Sequence, residues 1–353
     1  MKIAMLAPVE EQVPPKKYGG TELVVYNLAE ELVKMGHDVT LFATKDSQTS
    51  AKLFPVFPRS IRSMKKAKDM NIRSSLKMVG VGKVVSYLNE EQFDIVHNHI
   101  GWMLLPFLDI IKSPVITTFH GFLKIPYQAE IYSRYTKANY VSISHNQRQS
   151  SIVDLDFIAN VYNGIDVSKF KFFPKPKDYY AFLARISPEK GAAEAIRIAK
   201  EAGVKLIMAG KIDSVDEEYF LTKVKPHIDN KQVVFIGEVG HEEKVKLLGN
   251  AKALLAPIQW EEPFGLFFIE SMACGTPVIA TRRGSVPEII KDKKTGYIVD
   301  TIEEAVKAIK NIDKIDRKNC FDHVSKNFRR DMMAKDYLEA YKKAIDKYKK
   351  QKT

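Results

Sequence analysis

Cysteine is nearly missing from this chain: there are two in 353 residues, Cys274 and Cys320, and they form no C-x-x-C pair. That argues against a disulfide framework and against a thiolate metal site. Cys274, in an apolar stretch, reads as a small buried hydrophobe. Also absent is any apolar run of the roughly 18 residues that a membrane-spanning helix needs. The N-terminal apolar run stops at Pro8, with Glu10 and Glu11 close behind. It is too short for a signal-peptide core and suits a first buried strand, so a cytoplasmic protein is expected. No low-complexity tract or short-period repeat is present, which excludes solenoids.

Acid is scarce in one region. Residues 52–83 hold nine basic residues (Lys52, Arg59, Arg62, Lys65, Lys66, Lys68, Arg73, Lys77, Lys83) against Asp69, or +8 of the net +12. The tail from Lys342 to Lys352 adds six lysines against Asp346. Such a field attracts polyanions: nucleic acid, an acidic membrane face or phosphorylated ligands. Within 52–83 the charges are interleaved with Phe54, Phe57, Ile61, Met64, Met70, Ile72, Leu76 and Met78, the composition of an interfacial segment. Two readings stay open, a solvated loop and helix or a patch docking peripherally on the anionic inner face of a membrane.

What the chain has in plenty is alternation of strand and helix patterns. Strands are expected at Lys2–Ala7, Asp38–Thr44, Asp94–His99, Pro114–Phe119, Tyr140–His145 and Phe157–Tyr162. Several are near-continuously apolar, as strands buried on both faces are. A helix capped by Thr21 and ended by Gly36 follows the first strand. The second half repeats the plan with strands at Tyr179–Leu183, Lys205–Ala209, Gln232–Ile236, Ala253–Pro257, Pro277–Ala280 and Gly296–Val299. Helices are expected at Glu189–Ala202, Glu242–Asn250, Phe264–Ala273 and Thr301–Ile312. This is an α/β pattern of two doubly wound, Rossmann-like domains. Their expected limits are 1–170 and 171–330, with the C-terminal helix 331–353 packing back on the first and a linker at Ser168–Asp178. Two such domains facing across a cleft bind ligands at the carboxyl ends of their strands.

The stretch richest in chemistry runs from Trp260 to Gly275. Pro263 suits the first turn of a helix. The amides of Phe264, Gly265 and Leu266 would then be donors at its positive end, suited to hydroxyls or anions. Glu262 and Glu270 would lie roughly 12 Å apart along a helix axis, too far to share one reacting atom but able to hold two ends of one long ligand. Arg185 and Lys190, in Arg185-Ile-Ser-Pro-Glu-Lys-Gly191, can neutralise a diphosphate. Gly19 and Gly20, between the first strand and its helix, suit a backbone-lined anion site.

Together these pieces resemble glycosyltransferase family 4, retaining enzymes of the GT-B fold. The resemblance spans nearly the whole chain, including Tyr18-Gly-Gly-Thr-Glu22, Thr117-Thr-Phe-His-Gly121, Tyr162-Asn-Gly-Ile-Asp166, Glu262-Pro-Phe-Gly-Leu266 with Glu270, and Gly284-Ser-Val-Pro-Glu288. It implies a nucleotide-sugar donor, a hexose moved to an unidentified acceptor hydroxyl, and no metal. It implies Glu262 and the amides after Pro263 (Phe264, Gly265, Leu266) on the donor hexose and Glu270 on the ribose. Arg185 and Lys190 would bind the diphosphate, with Gly19 and Gly20 against it. His120 would line the reacting sugar, and the backbone near Glu238 and Val239 would meet the base. The family's transfer is front-side, the leaving phosphate taking the acceptor proton.

Other signals are weaker. His97-x-His99 lacks a third ligand and reads as structural. Asp154-Leu-Asp156 stands without supporting neighbours, and Gly80-Val-Gly82 fits no phosphate fingerprint. His145 is expected to end a strand. A disaccharide phosphorylase on the same fold and a noncatalytic sugar-nucleotide or nucleic-acid binding protein are the alternatives, though no nucleic-acid partner is expected.

Overall fold

The computed structural model describes residues 1–352. The chain divides into two compact units: Met1–Gly164 together with the chain from Arg330 on, and Ile165–Arg329.

The first unit is built on a seven-stranded parallel sheet: β1 (Lys2–Leu6), β2 (Asp38–Thr44), β3 (Lys52–Phe57), β4 (Ile95–Asn98), β5 (Val115–Thr118), β6 (Asn139–Ser142) and β7 (Phe157–Asn160). Their order is β3-β2-β1-β4-β5-β6-β7, so the winding reverses between β1 and β4. The sequence reading missed β3, because Pro55 and Lys52 argue against a strand. It lies at the sheet edge, where a proline leaves no ladder bond unmade. β6 ends at Ser142, short of the expected His145, which instead starts a one-turn helix capped by Ser144, whose Oγ accepts from Gln147 N at 3.1 Å.

Helix α1 (Gly20–Lys34) buries Val24, Val25, Leu28, Ala29 and Leu32, and the chain turns at Gly36 with φ +84°. It begins one residue before Thr21, with Gly19 rather than Thr21 at its N-cap and no side-chain cap bond. A Cβ on Gly19 would lie 2.6 Å from that of Pro15, so this glycine serves close packing. Helix α2 (Met70–Glu90) is capped by Asp69, which accepts from Asn71 N and Ile72 N at 2.8 and 3.1 Å. The 52–83 segment is thus a strand followed by helix, not a loop. Four of its cations meet acids elsewhere or at its edge: Lys52 on Asp38, Arg62 on Glu11, and Arg73 and Lys77 on Glu10. The C-terminal helix, Arg330–Lys352, packs on α1 and β7, burying Tyr337 and Tyr341 completely. Its Lys347 pairs with Asp156 at 2.5 Å, which occupies one carboxylate of the Asp154–Asp156 pair.

The second unit carries a six-stranded sheet: β8 (Tyr180–Leu183), β9 (Leu206–Ala209), β10 (Val233–Phe235), β11 (Leu254–Ala256), β12 (Val278–Thr281) and β13 (Gly296–Val299). The order is β10-β9-β8-β11-β12-β13, again parallel, with the reversal between β8 and β11. Its helices include α3 (Ala192–Glu201), α4 (His241–Gly249), α5 (Leu266–Ala273), α6 (Ile302–Lys310) and α7 (Arg317–Asn327). The proline-bearing stretch after Ser168 is packed rather than free. Phe173 lies where a Cβ on Gly249 would stand, 2.1 Å from its ring, and Arg317 Nε donates to Phe173 O at 2.6 Å. Ile165 N donates to Phe328 O at 2.9 Å, which ties the start of this unit to its end. No helix among the described residues is long and apolar enough to cross a membrane.

Candidate functional site

In the second unit the expected residues gather at the carboxyl ends of β8 and β11, where the winding reverses and ligands bind in such sheets. Lys190 reaches Glu262 in an ion pair whose side chains are 13% and 8% exposed. Trp260 Nε1 donates to the same Glu262 Oε2 at 2.9 Å. The Lys190 ammonium lies 4.8 Å from the Trp260 ring centroid and 5.5 Å from that of Phe267, two cation–π contacts that keep it in place. Two glycines allow this closeness. Gly191 has φ +73°, and a Cβ there would stand 1.9 Å from Pro257 O. Gly284 has φ +56°, and a Cβ would stand 2.3 Å from the backbone N and O of Glu262. Ser285 N donates to Glu262 O at 2.9 Å, fixing the backbone that carries the carboxylate.

Arg185 is half-buried, with Nη2 on Glu189 and Nε facing Asp216, both at 3.3 Å. Burial raises the Asp216 carboxyl above its usual range, against the opposing pull of Arg185. Lys211 faces Asp213 at 3.4 Å.

Helix α5 starts at Leu266, later than the sequence suggested. Gly265 takes the left-handed conformation at the N-cap, φ +77°, and a Cβ there would stand 2.4 Å from the Phe268 ring, so the position needs glycine on both counts. Pro263 and Phe264 therefore precede the helix, and the first-turn amides belong to Leu266 and Phe267. The helical spacing assumed between Glu262 and Glu270 holds for its second half alone. Glu270 is 4% exposed, inside α5, and its carboxylate accepts from Lys244 Nζ of α4. Glu238 and Val239 follow β10, two strands out from β8, after a turn in which Gly237 O accepts from Gly210 N at 2.9 Å.

In the first unit a chain of buried polar groups lies under the sheet's carboxyl edge. His97 sits between Tyr341 Oη at 2.7 Å and Thr118 Oγ1 at 2.8 Å, and Thr118 also meets Tyr337 Oη at 3.1 Å. His99 Nδ1 lies 2.8 Å from His120 Nε2, the two rings stacked. Burial holds all three imidazoles neutral, His120 at about 4. Both ring nitrogens of His97 are thus engaged by the protein, as is Nδ1 of His99, so the two do not form a pair of metal donors.

The family model for glycosyl transferases group 1 matches residues 165–327, and that for Glycosyltransferase Family 4 matches residues 18–169. The chain belongs to these GT-B glycosyltransferases. It is 25% identical to the phosphatidyl-myo-inositol mannosyltransferase of Mycolicibacterium smegmatis, over 85% of this chain and 81% of that one. Among solved structures it is similar to the sucrose-phosphate synthase of Thermosynechococcus elongatus, with a TM-score of 0.78, 18% identity and 98% and 99% of the two chains covered. Anabaena HepE, solved with UDP and glucose, gives a TM-score of 0.72 at 18% identity over 97% and 100% of the chains.

Within this glycosyltransferase, Arg185, Lys190, Glu262, Phe264, Gly265, Leu266 and Glu270 stand along one edge of the second sheet. Gly19, Gly20 and His120 belong to the first unit. The sequence reading passed over Lys244 and Trp260, which hold the two glutamates. Trp260 opens the stretch that carries Glu262-Pro-Phe-Gly-Leu266, and its indole N–H is a donor visible in the sequence. Lys244 lies in His241-Glu-Glu-Lys-Val-Lys, which looks like any solvated helix face.

Proposed function

We propose that this glycosyltransferase moves a hexose from a nucleotide diphosphate sugar to an acceptor hydroxyl with retention at the anomeric carbon and without a metal ion. The observation that carries the reading is the Lys190–Glu262 pair, held under Trp260 where the second sheet changes direction. Cleavage of the bond from the anomeric carbon to the diphosphate leaves positive charge on the sugar and negative charge on the leaving phosphate. Arg185, Lys190 and the first amides of α5 are fixed donors for that phosphate, in the manner of electrostatic preorganisation. The Glu262 carboxylate takes sugar hydroxyls and Glu270 the ribose, each steadied by a lysine. Gly19 and Gly20 are assigned to the diphosphate, His120 to the sugar, and the backbone at Glu238 and Val239 to the base. The leaving phosphate oxygen accepts the acceptor's proton on the face where the new bond forms. HepE, solved with UDP and glucose, supports the nucleotide donor, and the mycobacterial mannosyltransferase supports a hexose.

The test is hydrolysis of a panel of nucleotide sugars without acceptor, with the anomer of the released sugar read by NMR. Release from at least one donor with retained configuration is expected. No release from any donor would sink the donor assignment, and an inverted product would sink retention.

The exposed side chains of α2 favour a membrane-facing acceptor. Met70, which opens α2, is 57% exposed and follows the exposed cations Lys65 and Lys66 closely in the chain. Apolar and cationic groups side by side suit anionic headgroups.

A further inference from the structure

At the carboxyl end of the first sheet, where β1 and β4 part, lies a cavity of about 170 Å³. Its wall is apolar on most sides, with Leu6, Val9, Phe42, Val81, Val84 and Met103. Glu10 and Lys77 also stand in the wall, joined to each other, and Arg73 adds a second cation on Glu10 at 2.6 Å. The remaining polar group is His99, which is 4% exposed. Its Nδ1 is engaged with His120, while its Nε2 is buried without a hydrogen-bond partner among the described residues.

A buried ring nitrogen without a partner is costly, and in native proteins it calls for one. Because burial keeps His99 neutral, Nε2 is either a donor or an acceptor, according to which ring donates in the His99–His120 bond. A hydroxyl satisfies both cases, since it donates and accepts. A carboxylate meets the donor form alone, and an ammonium meets the acceptor form alone. Either would also lose its hydration against apolar walls. The cavity's size sets the chain: an apolar cavity of about 150 Å³ holds a molecule the size of benzene, so about six carbons fit here.

We propose that this cavity binds an aliphatic alcohol, its alkyl chain along Val81, Val84 and Phe42 and its hydroxyl on His99 Nε2. The bound molecule would be the hydrophobic part of the sugar acceptor, and that role rests on the transfer reading above. The binding site itself does not. The His99–His120 bond then places the acceptor's polar end beside the residue assigned to the reacting sugar.

The test is calorimetric titration of 1-hexanol into the full chain, without vesicles or donor. One saturable site with a negative heat-capacity change is expected, as for buried apolar surface. Val84→Phe, which fills the cavity, should weaken binding at least tenfold. Met103→Trp, at a half-buried position in the wall, gives the same readout if the first variant does not fold. His99→Phe should weaken binding by about five- to tenfold, the worth of one hydrogen bond. Absence of saturable binding, or unchanged binding in folded Val84→Phe and Met103→Trp, overturns the site. Unchanged binding in His99→Phe overturns the role of the hydroxyl. Donor hydrolysis without hexanol binding rejects the cavity alone, and hexanol binding without hydrolysis leaves the site standing apart from transfer.

Discussion

Lys190 and Glu262 sit where little water reaches them, so removing either leaves a charge without its partner. Glu262→Ala should cost about 3–5 kcal/mol of stability, besides abolishing transfer. Glu262→Gln keeps an oxygen for Trp260 Nε1 and should lose less stability while transfer falls by about a hundredfold or more. Denaturant melts and turnover with the same preparations check both. Glu22 shows the opposite situation, a carboxyl that burial pushes up to about 7 from 4.5. Because the unfolded carboxyl ionises first, stability from this group is fully present below pH 4.5 and lost as pH rises through 7. One pKa unit is about 1.4 kcal/mol, so the loss is on the order of 3 kcal/mol. Glu22→Gln should therefore match the parent at pH 4 and exceed it in melting temperature at pH 8. Equal melting temperatures at pH 8 would contradict this. At this scale the sequence showed Glu262, Glu270, Arg185 and Lys190 through their spacing around Pro-Phe-Gly-Leu and Ser-Pro-Glu-Lys. It could not show Lys244, because a lysine in a helix looks the same whether it meets water or a buried carboxylate.

Most strands were legible as elements because apolar runs bounded by turns leave few alternatives. The edge strand β3 escaped, since its proline and charge are tolerated only by virtue of its position, which sequence does not state. The start of α5 is misplaced for a related reason: Pro263 is an acceptable first helical residue, yet Gly265 takes a left-handed N-cap conformation and the helix begins only at Leu266. The two glycines Gly191 and Gly82 make the element-scale prediction. Gly191→Ala forces a Cβ to 1.9 Å from Pro257 O at φ +73°, so it should destabilise by about 3 kcal/mol or more and reduce transfer by displacing Lys190. Gly82 lies exposed within α2, and nothing stands within 4 Å of a Cβ there. Gly82→Ala should instead stabilise by about 0.5–1 kcal/mol. Paired urea denaturations of the two variants decide the matter, and similar shifts would contradict the packing described here.

For the whole molecule the uneven charge is the feature with the widest reach. Acids from beyond the basic segment reclaim part of its +8, yet Arg59, Lys65 and Lys66 stay exposed. The protein should co-sediment with anionic vesicles, and less so at 1 M salt, where screening shortens to about 3 Å. Replacing Lys65 and Lys66 with Gln should weaken this by about thirtyfold, at roughly 1 kcal/mol per charge. Equal binding to neutral vesicles would leave the acceptor in solution. If, as proposed, Arg185 and Lys190 neutralise the leaving diphosphate in place of a metal ion, turnover should persist in EDTA, and loss restored by a divalent ion would contradict that assignment. The division of the chain into units has one more consequence, which concerns time. Residues 165–329 are continuous, so every contact inside that unit can form once they have been synthesised. The earlier unit is different: His97 and Thr118 must wait for Tyr337 and Tyr341, made more than 200 residues later. The buried network of the first unit is therefore the last part of the fold that the growing chain can complete, although most of that unit is made first.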